Sequence, residues 1–449
     1  MLELIYVRKF LDRLKGCGNG AVLARGAFGA FTVKITGAGI LFGLHVLLAR
    51  LLGVGHYGIY VYAITWINIL VILCLLGFHT SLVRFIAEYN AKQQWGLLRG
   101  IIRRSTQVVL AFSILAGTIG IIVIWFLRQH FSDEQEVTFY IGFALLPALA
   151  LCRLREASLR AIKRVVQGEL LNGVIRPLLL AIILSGVYCY WQTYLSATQA
   201  MTINLISVIA VFSIGTLWLL ENLPYPSKET QPTCAEWKWI KVSLPLLLIA
   251  GMHIILKRID IVMIGALKGS EQAGIYSTAS RVSDLVVFGL TAINTILAPM
   301  ISELYHTGRK KELQRIITLA ARAIFVFTLV ISIILIIFGK FILSLFGLAF
   351  IVAYIPLLLL LVGQMVNAFA GPVGLIMSMG DRQNMMGVIV SISAVTNIVL
   401  NCALIPLLGL TGAAISTAIT MVMWNVAMLV YVNRKIGIKP TVIVYSFSL

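Results

Sequence analysis

The sequence predicts an all-α integral membrane protein of about twelve transmembrane helices, in two six-helix lobes related as a parallel repeat, with both termini cytoplasmic. Three observations predict it. Of 449 residues, 60% are hydrophobic and 12% charged, and the mean hydropathy is +0.97. Soluble domains are about 45–50% apolar and about 25% charged, so this balance excludes a soluble enzyme, and disorder requires low hydrophobicity. The apolar runs are unbroken and helix-span long rather than alternating, which excludes a barrel of short strands. The third observation is the side on which the cations fall.

Read in order, the apolar runs place spans at about 30–50, 57–78, 105–127, 139–158, 170–190, 198–220, 242–266, 275–299, 318–338, 354–379, 387–405 and 411–432. With the N-terminus inside and 153–169 counted as an inner segment, 26 of the 36 Lys and Arg residues lie in inner segments, 4 in outer ones (Arg50, Arg128, Lys268, Lys340) and 6 within spans. That bias orients both ends toward the cytoplasm and favours an even number of spans. It is also the better reading of the net charge of +19, which in a soluble chain would suggest nucleic acid; no nucleic-acid partner is expected here.

The chain then divides into a cytoplasmic N-terminal segment (1–29), a first six-helix lobe (30–220), a cytoplasmic linker (221–241) containing Pro224, Pro226 and Pro232, a second six-helix lobe (242–432) and a cytoplasmic tail (433–449). The first 29 residues carry five cations and no long apolar run, unlike a cleaved signal peptide. Leu4, Ile5, Phe10, Leu11 and Leu14 suit one face of a short interfacial helix.

The lobes resemble each other. YGIY (Tyr57–Tyr60) opens the second span and AGIY (Ala273–Tyr276) the eighth, 216 residues later. At an offset of 215, Glu88 meets Glu303, Leu98 meets Leu313, and Ile101–Ile102 meet Ile316–Ile317. Six spans per copy give both copies one orientation, the parallel repeat of transporters that expose a midplane site to each side in turn. The stretches 79–104 and 301–317 read as cytoplasmic surface helices whose cations suit anionic headgroups of the membrane lipids.

No catalytic signature is present. There is no GxxxxGK[ST] for a nucleotide motor and no HExxH, and the six cysteines form no CxxC. No cofactor, metal or enzymatic role is expected. The informative residues are charges within spans, each costly in hydrocarbon and normally facing a cavity or a partner. Six cations (Lys34, Arg176, Lys257, Arg258, Arg281, Arg322) stand against two acids, Asp260 and Asp284. The excess favours an anionic cargo such as a phosphate-bearing lipid. Lys34, Arg176, Arg258 and Arg281 are the candidate substrate-binding residues, and Asp260 and Asp284 the candidates for a coupling proton or Na⁺.

Each has a plainer alternative. Lys34 and Arg322 reach the inner surface by snorkelling. Arg176 caps a carbonyl freed by Pro177. Lys257–Asp260 and Arg281–Asp284 neutralise themselves at i,i+3 spacing, which leaves Arg258 without an obvious acid. Asn68, Gln364, Asn367, Asn397 and Asn401 face sugar hydroxyls or bond across helices, and Gly37, Gly39 and Gly43 allow the first span to bend or to pack closely.

Several stretches resemble a known family: LLARLLGVGHYGIYVYA (Leu47–Ala63), SLVRFIAEYNA (Ser81–Ala91), LRAIKRVVQGELLNGVIRPLLL (Leu159–Leu180), KRIDIVMIGALKGSEQAGIYSTASRVSDLV (Lys257–Val286) and APMISELYHTGRKKELQRI (Ala298–Ile316). They look like the Wzx-type polysaccharide-biosynthesis or O-antigen flippases of the multidrug/oligosaccharidyl-lipid/polysaccharide exporter superfamily, over nearly the whole chain. The resemblance implies two lobes in a V and alternating access. It implies a cationic cavity that grips an undecaprenyl-diphosphate-linked oligosaccharide. That cargo would cross from the inner to the outer leaflet of the bacterial cytoplasmic (inner) membrane, for O-antigen, lipopolysaccharide, capsule or exopolysaccharide, as secondary transport. Polysaccharide polymerases and glycosyltransferases are the implied partners. The alternative is a cation-coupled small-molecule or drug exporter of the same superfamily. That branch uses membrane acids in its first lobe, where this chain offers only Glu156 and Glu169 near the inner surface.

Overall fold

The computed structural model describes residues 19–224, 230–380 and 382–442. The expected interfacial helix at 4–14, part of the linker and the end of the tail lie outside them. Among the described residues the chain is helical, without strands: α1 (Asn19–Cys74), α2 (Phe78–Ala91), α3 (Trp95–Phe126), α4 (Asp133–Ala161), α5 (Val165–Leu170), a π turn (Leu171–Ile175), α6 (Arg176–Trp191), α7 (Ala197–Asn222), α8 (Glu236–Lys268), α9 (Ser270–Asp284), α10 (Val287–His306), α11 (Lys310–Ser344), α12 (Tyr354–Ala370), α13 (Val373–Met379), α14 (Gln383–Leu408) and α15 (Leu410–Tyr431).

Among the described residues, ten segments are long and apolar enough to cross a membrane, which makes this a multi-pass membrane protein. They differ from the expected dozen at two places. One apolar segment, Thr32–Cys74, is 43 residues long. That is about 65 Å of helix at 1.5 Å per residue, twice the ~30 Å hydrocarbon core. Gly53 (φ 72°, ψ 175°) breaks it into two arms. The expected span at 275–299 is divided between α9 and α10, where the amides of Leu285 and Val286 bond three residues back instead of four.

The repeat is written into the backbone. Gly53 and Gly269 (φ 93°, ψ 161°), 216 residues apart, hold the same extended, positive-φ geometry just before the two GIY motifs. Helices α2 and α10 end at Ala91 and His306, and α3 and α11 start at Trp95 and Lys310, both pairs 215 apart. The turns between them match bond for bond. Gln94 N donates to Tyr89 O at 2.9 Å and Gln93 N to Asn90 O at 3.3 Å, as Arg309 N does to Leu304 O at 3.1 Å and Gly308 N to Tyr305 O at 3.2 Å. These are Schellman closures, with Gln93 (φ 53°) and Gly308 (φ 71°) left-handed at C′. Lys163 (φ 65°) makes the same turn between α4 and α5. All three lie in the cation-rich segments between apolar runs. The surface helix expected at 301–317 is not a separate element. It is the end of α10 and the start of α11, because this turn lets helix follow helix directly.

The described chain forms two compact units. The first holds residues up to His45, Leu70–Thr193 and Thr198–Leu248. Its α4 opens with a capping box, Ser132 with Gln135, and its first turn carries Asp133, Glu134 and Glu136. The acidic cluster therefore serves the positive end of a helix dipole. Amphipathic α2 buries Phe78, Leu82, Phe85, Ile86 and Tyr89 and clasps the start of α8: Trp239 Nε1 donates to Tyr89 Oη at 2.9 Å, and the Ser81 and Ser243 hydroxyls lie 2.6 Å apart. Gly37 packs against the π turn, where a Cβ would stand 2.5 Å from Gly173 O, whereas a Cβ at Gly39 or Gly43 would meet nothing within 4 Å.

The second unit holds Val46–Ile69, Tyr194–Ala197 and the chain from Ile249. At one end Leu297, Ile301, Leu313, Ile317, Met377, Val390 and Met428 form its apolar core. At the other the two GIY motifs cross. A Cβ on Gly58 would collide with Ser270 O and lie 2.7 Å from Glu271 Cα, and one on Gly274 would lie 2.6 Å from Gly58 Cα. Tyr57, fully buried, packs edge-on to Phe350 at 5.6 Å. Arg50 donates to the end carbonyls of α11, Leu345 O at 2.6 Å and Ser344 O at 2.8 Å. Lys268 donates to Pro406 O at 3.0 Å. These two cations neutralise helix C-termini.

Gly58→Val and Gly274→Val are each expected to cost about 1–3 kcal/mol or more by overpacking, while Gly39→Ala is neutral or stabilising by about 0.5–1 kcal/mol. Thermal denaturation of the purified protein in detergent checks this; equal melting of Gly58→Val and Gly39→Ala would contradict the crossing.

Candidate functional site

The structure sorts the intramembrane charges into separate groups, because neighbours on a helix point about 100° apart. In the first unit, Lys34 on α1 approaches Glu169 on α5, Nζ to Oε1 3.7 Å. Glu169 also meets Arg160 at 3.5 Å. Glu156 on α4 is 7% exposed. It accepts from Asn172 at 2.7 Å and Arg153 at 3.3 Å, and pairs with Arg160 at 3.5 Å. The expectation that the first half has no buried acid is therefore corrected: α4 carries Glu156 inward, and Asn172 on the π turn closes over it. The carboxylate is fully engaged. Beside it, burial and the nearby Arg153 and Arg160 push His79 of α2 down to about 4, so this imidazole is neutral at physiological pH.

Arg176 follows the π turn and donates to Asn204 Oδ1 on α7 at 3.1 Å. The widened turn sits at the position where the Pro177 ring would strike the carbonyl of Gly173 in a regular helix. One cation escaped sequence reading. Arg155, counted among the loop cations, is 9% exposed within α4. It donates to Thr216 Oγ1 at 3.2 Å and Thr106 Oγ1 at 3.4 Å and lies over the Phe212 ring at 5.5 Å. No carboxylate pairs with it among the described residues. The signal that would have found it is its helical phase with buried Leu151, Cys152 and Ser158.

In the second unit, neither i,i+3 pair forms. Asp260 Oδ2 is taken by two hydroxyls, Tyr276 at 2.9 Å and Thr417 at 2.7 Å. Lys257 instead reaches from α8 to Asp284 of α9 at 3.6 Å. Arg281 turns to the Tyr57 hydroxyl. Arg258 forms no ion pair among the described residues, and its Nη1 is buried without a hydrogen-bond partner. The charges acting on it are Arg281, Asp284 and Asp260. Arg258, Arg281 and Tyr57 thus form a cationic corner next to the GIY crossing. Asp260 Oδ1 is likewise buried without a partner. Arg322 donates to Val442 O at 3.3 Å.

Lys257, Asp260 and Asp284 face a different space, a half-open cavity of about 480 Å³ lined by α8, α9, α10, α12, α13, α14 and α15. Gln364 and Asn367 line it as well. The other amides are spent in packing: Asn68 bonds Ile64 O, Asn401 bonds Asn397, and Asn397 bonds Thr420. No group of three or more His, Cys, Asp and Glu residues that could hold a metal occurs among the described residues.

Comparison with known proteins places this architecture. The family described as "Polysaccharide biosynthesis protein" matches residues 23–305, and the MatE family matches 245–403. Two curated relatives come from Haloferax volcanii. "Probable flippase AglR" is 26% identical over 74% of this chain and 69% of its own length. "Probable low-salt glycan biosynthesis flippase Agl15" is 23% identical over 93% and 85%. Among solved structures, an inward-facing multidrug resistance MATE family transporter of the MOP superfamily superposes with a TM-score of 0.73 at 14% identity, covering 91% of this chain and 98% of that one. The inward closed lipid II flippase MurJ gives 0.69 at 15%, over 90% and 87%.

Tyr276→Phe and Thr417→Val each remove one donor from the buried Asp260 carboxylate. Each is expected to lower stability by about 1–3 kcal/mol, with the double variant losing less than the sum. Unfolding of the three variants measures this; two neutral substitutions would contradict the hydrogen-bonded carboxylate.

Proposed function

The chain belongs to the polysaccharide biosynthesis protein family of the MOP superfamily, and from that premise we propose that it flips a polyprenyl-diphosphate-linked oligosaccharide from the inner to the outer leaflet by alternating access. It is a transporter in this reading, not a catalyst. The observation that carries the proposal is Arg258. A guanidinium with a buried, unpartnered Nη1 stands beside a second arginine and forms no ion pair among the described residues. Two like charges in a low dielectric favour a dianionic partner, and a diphosphate accepts several charge-assisted hydrogen bonds at once. Arg258 and Arg281 supply this grip in the second unit, Arg176 and Lys34 in the first. Lys34 exchanges Glu169 for phosphate, and Arg176 exchanges Asn204.

Asp260 carries the coupling proton or Na⁺, since its Oδ1 is open, whereas Asp284 is already held by Lys257. The sugar crosses in the polar interior while the polyprenyl tail remains in lipid. The membrane is the cytoplasmic one, of a bacterium or, as for the two named relatives, of an archaeon. The product, a surface O-antigen, capsule or exopolysaccharide, requires glycosyltransferases upstream and a polymerase or ligase downstream.

In proteoliposomes, the wild type is expected to expose a fluorescent polyprenyl-diphosphate-linked sugar to an outside quencher. Arg258→Ala and Arg176→Ala, still folded, lower the rate at least tenfold. Movement of small organic cations instead, dependent on Asp260 and indifferent to the arginines, would establish the cation-coupled exporter in its place.

A further inference from the structure

Three features outside the diphosphate grip invite a function: the Glu156 charge cluster, the buried Arg155, and the cavity of the second unit. In the first the carboxylates are engaged by several cations and an amide, leaving only Arg160 Nε and His79 Nδ1 without a partner among the described residues, and the second rests on hydroxyls and a ring. The cavity is unlike both. At about 480 Å³ it falls within the about 300–1,000 Å³ of small-ligand sites.

Its charge balance says what it does not bind. Lys257 is cancelled by Asp284, and Asp260 adds a second carboxyl, 95% buried with Oδ1 unpartnered. No arginine lines it; Arg258 and Arg281 point to the Tyr57 corner. A diphosphate gains nothing there. Its remaining polar lining is amide and hydroxyl, with Asn294, Gln364, Asn367, Ser280 and Thr420 among them, and one imidazole, His253. Asn294 Oδ1 is buried without a partner, an acceptor awaiting a donor. Asn367 and Gln364 are joined only by a long 3.5 Å contact, easily exchanged for shorter bonds. Trp424 also lines the cavity. Amides that accept and donate in a plane, beside an indole face that packs on C–H groups, suit a ring bearing alternating hydroxyls and C–H faces.

We propose that the second-unit cavity, lined by Asn294, Gln364, Asn367 and Trp424, is the glycan subsite: it holds an uncharged, hydroxyl-rich sugar of the cargo while the arginines hold its diphosphate. This rests on the flippase reading above. It divides the labour of recognition. The arginines determine whether a lipid diphosphate is accepted, and the cavity determines which head is carried with it.

The test measures flipping of two probes in proteoliposomes, polyprenyl diphosphate bearing an N-acetylglucosamine-initiated oligosaccharide and bare polyprenyl diphosphate. Trp424→Ala and Asn294→Ala are expected to slow the glycosylated probe about tenfold and to leave the bare probe within about twofold. Trp424→Phe keeps a ring face and retains most of the rate. Arg258→Ala slows both probes alike. A variant that fails to fold loses both probes and is recognised by its melting curve. Trp424→Leu and Asn294→Leu, which fill more of the space than alanine while removing the ring face and the amide, then carry the comparison. If folded variants slow both probes equally, or neither, the subsite assignment is wrong while the flippase reading stands. If the wild type moves neither probe, the flippase reading falls and the subsite with it.

Discussion

The backbone crossing at Gly58 and Gly274 is the constraint on which the second unit depends. Two helices meet there with no room for a Cβ, and the residues that flank the contact are the ones with chemistry. Tyr57 is pinned under Phe350 and meets Arg281. Two residues beyond Gly274, Tyr276 holds Asp260. A methyl group at either glycine would push the helices apart by about an ångström and misplace both hydroxyls. The GIY motif is therefore a spacing device. Its glycine brings α1 and α9 together, and its tyrosines place polar atoms at a fixed distance from charges on α8 and α9.

A second theme is the accounting of charge in a medium without water. Arg50, Lys268, Arg128 and Lys340 each have a partner that costs no acid: helix ends for Arg50 and Lys268, and aromatic faces for Arg128 and Lys340. Glu156, Glu169 and Asp284 each hold a cation in turn. Against that economy, Arg258 stands out. A protein that satisfies peripheral cations so thoroughly leaves a central one open, which is the arrangement of a site that another molecule completes.

The repeat joins sequence to architecture. Equal offsets in the positive-φ glycines, the Schellman turns and the helix ends mean that one local code was used twice. The turns fall in the cation-rich segments, so the most basic stretches of the chain also terminate its helices. Where the copies diverge, they acquire separate roles. The first copy buries Glu156 and Arg155 near a π turn, and the second forms a cavity lined by amides and Trp424.

Much of the fold was legible because hydrocarbon imposes local rules. Apolar run length and the GIY spacing are properties of short windows, and they determined the helical membrane class and the repeat. The identity of the intramembrane charges was equally legible. Their pairing was not. Lys257 finds Asp284 rather than Asp260, because Tyr276 and Thr417, 16 and 157 residues away, claim Asp260 first. Arg155 reads as a loop cation until α4 is seen to run to Ala161. Gly53 and the Leu285–Val286 break are single-residue events inside continuous apolar runs, invisible to hydropathy. Composition and period thus settled which residues must leave water. Only the tertiary structure decided which groups meet there, because partners in a low dielectric are chosen by packing among distant helices and not by separation along the chain.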